Sequence, residues 1–141
     1  MSPEVDVAPL AAELRQTLGQ LVRRLRVEHG FPLPQGGVLG RLDREGPQSD
    51  SDLAAGARMR PQSMAQTVRE LEDGGLVVRR PDPDDARRAF VELTDAGRAA
   101  LAADRAHRDG WLAGVLEREL TPAERALLAR AAPLLRRIAD A

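Results

Sequence analysis

One stretch, from Ser49 to Arg88, limits most strongly what this chain can fold into. It predicts a short helix, a tight turn and a second helix. Ser49 followed three residues later by Asp52 is typical of a helix N-terminus, because a serine hydroxyl can accept a hydrogen bond from the first turn. Gly56–Met59 predicts the break between the two helices. Pro61 predicts the first position of the second helix, where a backbone N–H would have no partner.

The rest of that stretch predicts a β-hairpin. Gly74 and Gly75 end the second helix, and the β-branched run Leu76–Val78 predicts a strand. Pro81–Asp85 predicts a loop tip outside regular structure, and Ala89–Leu93 predicts the returning strand. Helix, turn, helix, strand, loop and strand, in this order, make a winged helix-turn-helix. In that layout the second helix enters the major groove of DNA, and the hairpin, called the wing, flanks it.

The order and spacing of these segments resemble the MarR family of bacterial transcription regulators. The matching positions are Asp85 and Arg87 in the wing, Gly75–Val77 after the second helix, and Leu93–Gly97 at the exit of the returning strand. The resemblance implies a mainly α fold with a small β-hairpin wing, flanked by N- and C-terminal dimerisation helices. It also implies a homodimeric regulator, expected to be a repressor, that binds double-stranded DNA at an inverted-repeat operator and responds to a small organic effector.

The chain has 141 residues and is expected to form one domain, 1–141, because this length is enough for one hydrophobic core. The winged helix-turn-helix region is predicted over 33–95, and the dimerisation helices over 5–30 and 95–141. The first of these helices carries a stripe of leucines at helical spacing: Leu10, Leu14, Leu18, Leu21 and Leu25. Because such stripes need more cover than one chain supplies, we expect a homodimer.

Four helices are predicted outside the central stretch. The first runs over Pro9–Glu28, and the second over Pro34–Glu45. A third begins after Thr94, which is expected to cap it, and runs to about Arg118. The last begins after Thr121, where a Thr-Pro-x-Glu pattern predicts a capping box. Pro133 lies inside this last helix and is expected to bend or break it.

Composition limits the kinds of site that the chain can hold. Cysteine is absent, which removes disulfides, thiol chemistry and thiolate zinc sites. No run is apolar enough to span a membrane and no signal-peptide pattern is present, so we expect a cytoplasmic protein. No cofactor or metal is expected, and no enzyme, because His29 and His107 fall on separate helices and no phosphate-binding glycine motif occurs.

The net charge of −1 means that affinity for DNA has to come from local clusters of charge. All 21 basic residues are arginine. Codon bias in a GC-rich genome is the first explanation for this, although arginine is also the better residue for phosphates and guanine edges, because its planar fork can bond twice.

The predicted DNA surface combines the second helix and the wing. Gln62 and Gln66 are four residues apart and can reach one groove edge together, where glutamine pairs with adenine through two hydrogen bonds. The resemblance assigns Asp85 to bracing the wing and Arg87 to the minor groove. The predicted DNA-binding residues are Ser49, Ser51, Arg60, Gln62, Ser63, Gln66, Thr67, Arg69, Arg79, Arg87 and Arg88.

Each of these features has an alternative interpretation. The polar helix face could be a solvated surface, and the wing charges could pair with one another. His107 and Trp111, four residues apart, could line an effector cleft, but a tryptophan packed in a subunit interface is more common. His29 is interpreted as a histidine favoured by the helix dipole rather than as a ligand. The near-neutral charge and Gln66, which stands where many relatives carry arginine, leave open a winged helix used for protein–protein contact without DNA binding.

Overall fold

Six helices and a three-stranded antiparallel sheet make up residues 3–141, the part of the chain that this computed structural model describes. The helices are α1 (Val7–Val27), α2 (Leu33–Glu45), α3 (Asp50–Ala57), α4 (Pro61–Asp73), α5 (Asp95–Glu119) and α6 (Pro122–Ala139). The strands are β1 (Gln48–Ser49), β2 (Val77–Pro81) and β3 (Ala89–Leu93). The predicted fold class, mainly α with a small β-hairpin wing, is confirmed.

Local capping signals set the helix boundaries where the sequence predicts them. The Ser49 hydroxyl accepts from the backbone N–H of Asp52 at 3.1 Å and begins α3. Thr94 caps α5 by accepting from Gly97 at 3.0 Å. In α6, Thr121 and Glu124 form the reciprocal capping box, and the backbone hydrogen bond from Thr121 lowers the pKa of the Glu124 carboxyl. Each cap satisfies an N–H group that has no partner inside its helix.

The break between α3 and α4 covers residues 58–60, so it overlaps the predicted break at Gly56–Met59 and begins two residues later. Arg58, not a glycine, takes the left-handed conformation there, with φ 53°. Gly56 belongs to α3, and its lack of a side chain leaves room for the guanidinium of Arg41. A Cβ at Gly56 would lie 1.7 Å from Nη1 and 2.0 Å from Cζ of Arg41, whose guanidinium crosses α3 at this point.

The sheet contains one strand that was not predicted, and it corrects the predicted position of Pro81. A third strand, β1, pairs with β3, so the order is β1-β3-β2 and the wing is not an isolated hairpin. Pro81 was predicted in the loop tip, but it is the last residue of β2, opposite Ala89. Proline is tolerated there because β2 is an edge strand, where a missing N–H leaves no ladder partner unsatisfied.

The hydrophobic core belongs to the reading head, the part of the chain from α2 to β3. Its fully buried side chains come from α2, α3, α4 and β3: Leu39, Leu53, Met64, Val68, Leu71 and Val91. Helices α1 and α6 bury no residue completely, and most of their large apolar side chains stay exposed. Pro133 was predicted to bend or break the last helix, and α6 continues through it without a break. A proline removes one backbone donor, and the bonds on either side of that gap keep this helix continuous.

A buried carboxylate joins α1 to α5. The side chain of Asp104 is only 4% exposed, and its Oδ1 accepts from the backbone N–H of Gly30 at 2.6 Å. Its Oδ2 lies 3.1 Å from Nδ1 of His29 and 3.1 Å from Nη2 of Arg108. The helix-dipole interpretation of His29 is therefore incomplete, because the ring faces a carboxylate on another helix. Asp104 lies 74 positions along the chain from Gly30, so no local sequence pattern could indicate this contact.

Candidate nucleic-acid interface

Helix α4 presents a polar face to solvent. Gln62, Ser63 and Gln66 are exposed, while Met64 and Val68 on the opposite face are buried in the core. The helical repeat of 3.6 residues produces this division, because the apolar side chains recur at intervals of three and four. The polar groups on this face are amides and a hydroxyl, which both donate and accept hydrogen bonds. Such groups can read base edges.

The N-terminus of α4 lacks a side-chain cap. Arg60 occupies the N-cap position without a side-chain hydrogen bond to the helix, and no acidic residue lies in the first turn. Helices α1, α3, α5 and α6 all have side-chain caps. Backbone N–H groups at the start of α4 are therefore left for an external acceptor, and a phosphate suits this place because the helix dipole favours negative charge.

Two residues of the predicted DNA-binding set have buried side chains. Ser49 and Thr67 are each 6% exposed. The Ser49 hydroxyl caps α3, and the Thr67 hydroxyl donates to the backbone carbonyl of Ser63 at 3.1 Å. Both hydroxyls therefore make hydrogen bonds to the backbone of the helices and do not face solvent. Ser51, at the start of α3, is exposed.

Arg79 joins three elements and is not a free cation. From β2 it donates to Asp50 of α3 at 2.6 Å and to Glu72 of α4 at 2.8 Å. Burial lowers the pKa of Arg79, but the hydrogen bonds and charges of the two carboxylates raise it by more, so the net shift is upward. Arg79 thus fixes the wing against both helices of the helix-turn-helix. The sequence shows the three charges but not their pairing, which depends on the packing of α3, α4 and β2.

The tip of the wing carries exposed arginines. The Arg87 side chain is 94% exposed, and its backbone N–H donates to Oδ1 of Asp85 at 3.0 Å. The backbone N–H of Arg88 donates to the carbonyl of Asp85 at 3.0 Å, and its guanidinium lies 5.9 Å from the ring of Phe90. Asp85 thus holds the backbone of the tip, which is the contact that the bracing role requires. Arg80 is engaged elsewhere, in an ion pair with Glu92.

His107 and Trp111 both face α1 of the same chain. His107 Nε2 lies 3.3 Å from Glu28 Oε2, and the guanidinium of Arg24 lies 4.6 Å from the Trp111 ring centroid. Neither residue lines the nearby cleft between α1, α2 and α5, which has a volume of about 470 Å³. The residues that line this cleft include Val22, Leu25, Arg26, His29, Leu33 and Arg108.

Across residues 3–141, no cluster of three or more histidine, aspartate or glutamate side chains is arranged to hold a metal ion. Within that same part of the chain, no helix has the length and apolar character needed to cross a membrane.

Comparisons with known proteins agree with this geometry. The MarR family profile matches residues 29–88. An HTH-type transcriptional regulator of Mycobacterium bovis is 35% identical over 136 residues, which cover 94% of each chain. The crystal structure of a transcriptional regulator from Pseudomonas aeruginosa is 42% identical, covers 99% of each chain and superposes with a TM-score of 0.84. A regulator from Thermotoga maritima, 19% identical over 92% of this chain and 96% of its own, has the same fold with a TM-score of 0.79.

Proposed function

We propose, since this chain belongs to the MarR family of transcription regulators, that it is a homodimeric repressor that binds an inverted-repeat DNA operator. The resemblance predicted from the sequence is confirmed. Members of this family bind DNA and act as dimers. A regulator of this kind acts on the chromosome, which in bacteria places it in the cytoplasm.

The observation that carries DNA binding is the exposed polar face of α4 beside the exposed wing arginine. Gln62, Ser63 and Gln66 are exposed on a helix whose N-terminus has no side-chain cap, and Arg87 is 94% exposed at the wing tip. Amide groups can read base edges in the major groove, whereas an extended arginine suits the minor groove or the phosphate backbone. One protomer would therefore contact two adjacent grooves of one half-site.

The apolar surfaces of α1 and α6 support the dimer. Leu10 and Leu21 of α1 share one face and are 40% and 38% exposed, and Leu127 and Ile138 of α6 also share one face and are both 63% exposed. Large apolar side chains exposed together along two helices are typical of a surface that another subunit covers. A two-fold dimer presents two α4 helices, so its operator should be an inverted repeat with half-sites about 34 Å apart.

A charge on the apolar face of α6 should separate the protomers. Leu134→Glu places a carboxylate among the exposed apolar residues, and we expect sedimentation to show a monomer of 15.3 kDa where the wild type sediments as a dimer. Ala129→Glu is the matched control, because helical spacing puts Ala129 on the opposite face of α6. A wild-type protein that sediments as a monomer at micromolar concentration would contradict the dimer and, with it, the inverted repeat.

The cleft between α1, α2 and α5 is the proposed effector site. Its volume of about 470 Å³ lies within the range of small-molecule sites. Arg26 supplies a basic group beside the apolar Val22 and Leu25, a combination that suits a small organic anion. His29 and Arg108 also line the cleft, but each lies 3.1 Å from the Asp104 carboxylate. The cleft touches both the proposed dimerisation helices and the reading head, so a ligand there could change their relative position.

Two substitutions test DNA binding: one removes a charge expected to neutralise phosphate, and the other removes an amide expected to contact a base. Arg87→Ala should weaken binding to cognate and scrambled duplexes alike, and should lower the salt slope by about one unit per subunit, because the arginine neutralises phosphate charge. Gln66→Ala should cost about 1–3 kcal/mol on the cognate duplex, with little effect on scrambled DNA or on the salt slope. The measurement is a fluorescence-anisotropy titration at several salt concentrations. The cognate duplex is first selected from a random library with the wild-type protein.

Arg118→Ala is the control for the loss of one positive charge, because Arg118 is exposed in the last turn of α5, outside the reading head. Thermal melting of every variant separates lost affinity from lost structure. If the folded Arg87→Ala and Gln66→Ala proteins bind as the wild type does, then α4 and the wing are not the DNA surface. A protein-interaction role for the winged helix would then be the better explanation.

A further inference from the structure

We propose that Gln35 and Glu70 are positioning residues for base recognition, because they hold the Gln66 carboxamide in one orientation before DNA binds. This inference rests on the proposed function and adds a specificity-determining contact between α2 and α4. Gln35 lies outside the face of α4 that would enter the groove, and the DNA-binding set predicted from the sequence does not include it.

Four side chains form a continuous chain of hydrogen bonds. Gln66 Nε2 donates to Glu70 Oε1 at 3.2 Å, and Gln66 Oε1 accepts from Arg69 Nη2 at 2.9 Å. On its other oxygen, Glu70 accepts from Gln35 Nε2 at 2.9 Å. Gln66, Arg69 and Glu70 belong to α4, whereas Gln35 belongs to α2.

The chemistry of the two partners determines which way the amide points. An ionised carboxylate only accepts hydrogen bonds, and a guanidinium only donates them. The Gln66 amide nitrogen must therefore face Glu70, and its oxygen must face Arg69. A turn of the amide by half a rotation would put oxygen against oxygen and N–H against N–H. Both contacts would be lost together.

Gln35 distinguishes this arrangement from an ordinary contact along one helix surface. A glutamine–glutamate pair four residues apart on an exposed helix is weak, because both side chains remain free to rotate. Here a second helix holds the far oxygen of Glu70. That helix is itself fixed, since Val38, Leu39 and Leu42 of α2 are buried in the core. Gln35 thus limits the rotation of Glu70, and Glu70 limits that of Gln66.

The fixed amide still has the groups that adenine requires. After its contacts within the protein, Gln66 keeps a second N–H on Nε2 and a second lone pair on Oε1. In the major groove adenine presents N7 as an acceptor beside the N6 amino group as a donor. The amide can therefore pair with both groups without turning, and it loses less side-chain entropy on binding than a mobile glutamine would.

The test measures discrimination at a single base rather than affinity alone. A duplex is selected from a random library with the full-length wild-type protein, and each adenine in a half-site is then replaced in turn by 7-deazaadenine, which lacks the N7 acceptor. The adenine that Gln66 contacts is the one at which Gln66→Ala removes the discrimination between adenine and 7-deazaadenine. At that position, Gln35→Ala should lower the discrimination between adenine and 7-deazaadenine by roughly three- to tenfold, the range expected for releasing one long side chain. Affinity for scrambled DNA and the salt slope should stay at the wild-type level.

Two further variants exclude a merely structural role. Gln35→Arg keeps a donor for the Glu70 carboxylate and should restore discrimination, although its added charge should raise affinity for every duplex. Gln48→Ala removes another glutamine of the reading head, whose side chain donates to the neighbouring Pro47 carbonyl, and should leave discrimination unchanged.

The outcomes separate this inference from the proposed function. If Gln66→Ala loses discrimination and Gln35→Ala keeps it, the positioning role is wrong and the DNA-binding function stands. If Gln35→Ala weakens binding to all duplexes equally, Gln35 only supports the fold, and the inference is again overturned. If the wild-type protein selects no sequence from the library, the proposed function fails and the positioning role fails with it.

Discussion

Gly97→Ala is expected to destabilise the protein by about 3 kcal/mol or more, although alanine is the better helix former. A Cβ at Gly97 would lie 2.0 Å from the backbone oxygen of Leu76 and 3.2 Å from Cδ2 of Leu93. The Leu76 oxygen cannot move aside, because it already accepts from the backbone N–H of Thr94 at 3.1 Å. The first turn of α5 would have to separate from the entry to β2.

Equilibrium urea unfolding at a fixed protomer concentration measures this effect, since dimer dissociation contributes to the apparent stability. Gly110→Ala is the matched control on the same helix. Gly110 is exposed, and apart from its own stretch of helix no atom of residues 3–141 lies within 4 Å of the position that its Cβ would take. This control should gain about 0.5–1 kcal/mol from helix propensity. Equal effects at the two glycines would mean that the contact between Gly97 and Leu76 is not a constraint.

Asp104→Ala should cost about 3–5 kcal/mol, because it removes one partner from a buried, charged cluster. Three groups would lose their acceptor or counter-charge: the backbone N–H of Gly30, the ring of His29 and the guanidinium of Arg108. An unpaired charge inside the protein costs more than the pair contributes, because water no longer solvates it. The same urea titration measures the loss.

Asp109→Ala controls for the loss of a carboxylate from α5. Asp109 is exposed, and its removal should change stability by less than about 0.5 kcal/mol. Asp104→Asn should fall between the two, because an amide oxygen can still accept from Gly30 while the negative charge is gone. A small effect for Asp104→Ala, similar to that of Asp109→Ala, would show that water reaches the cluster and solvates the remaining groups.

Local sequence patterns predict several features of this fold correctly. Ser49, Thr94 and Thr121 cap α3, α5 and α6 as the sequence predicts, because a cap involves only residues two or three positions away. The buried and exposed faces of α4 also follow from the sequence, since they depend only on the helical repeat. The turn after α3 lies close to its predicted position, but the left-handed conformation of Arg58 within it was not predicted.

Local sequence patterns do not predict hydrogen bonds and ion pairs between side chains that are far apart in the chain. The sequence groups Arg79 with the DNA-binding arginines, yet its guanidinium is paired with Asp50, 29 residues away, and with Glu72. Arg87 stays exposed because the wing tip projects beyond the packed strands. Arg79 and Arg87 have the same side chain and the same charge. Only the positions of neighbouring elements distinguish a structural arginine from one that is accessible to DNA.

By itself the sequence determines the order of the six helices and the two wing strands, most of their boundaries and the polar face of α4, although not the short strand β1. These features are enough to identify the winged helix-turn-helix. The tertiary structure alone decides which polar groups meet: Gly30 with Asp104 across 74 residues, and Gln35 with Glu70 across 35. The physical reason is the distance along the chain over which each interaction acts. Backbone capping and helical periodicity act within a few residues of the chain. A hydrogen bond between distant residues exists only after the hydrophobic core has brought their helices together.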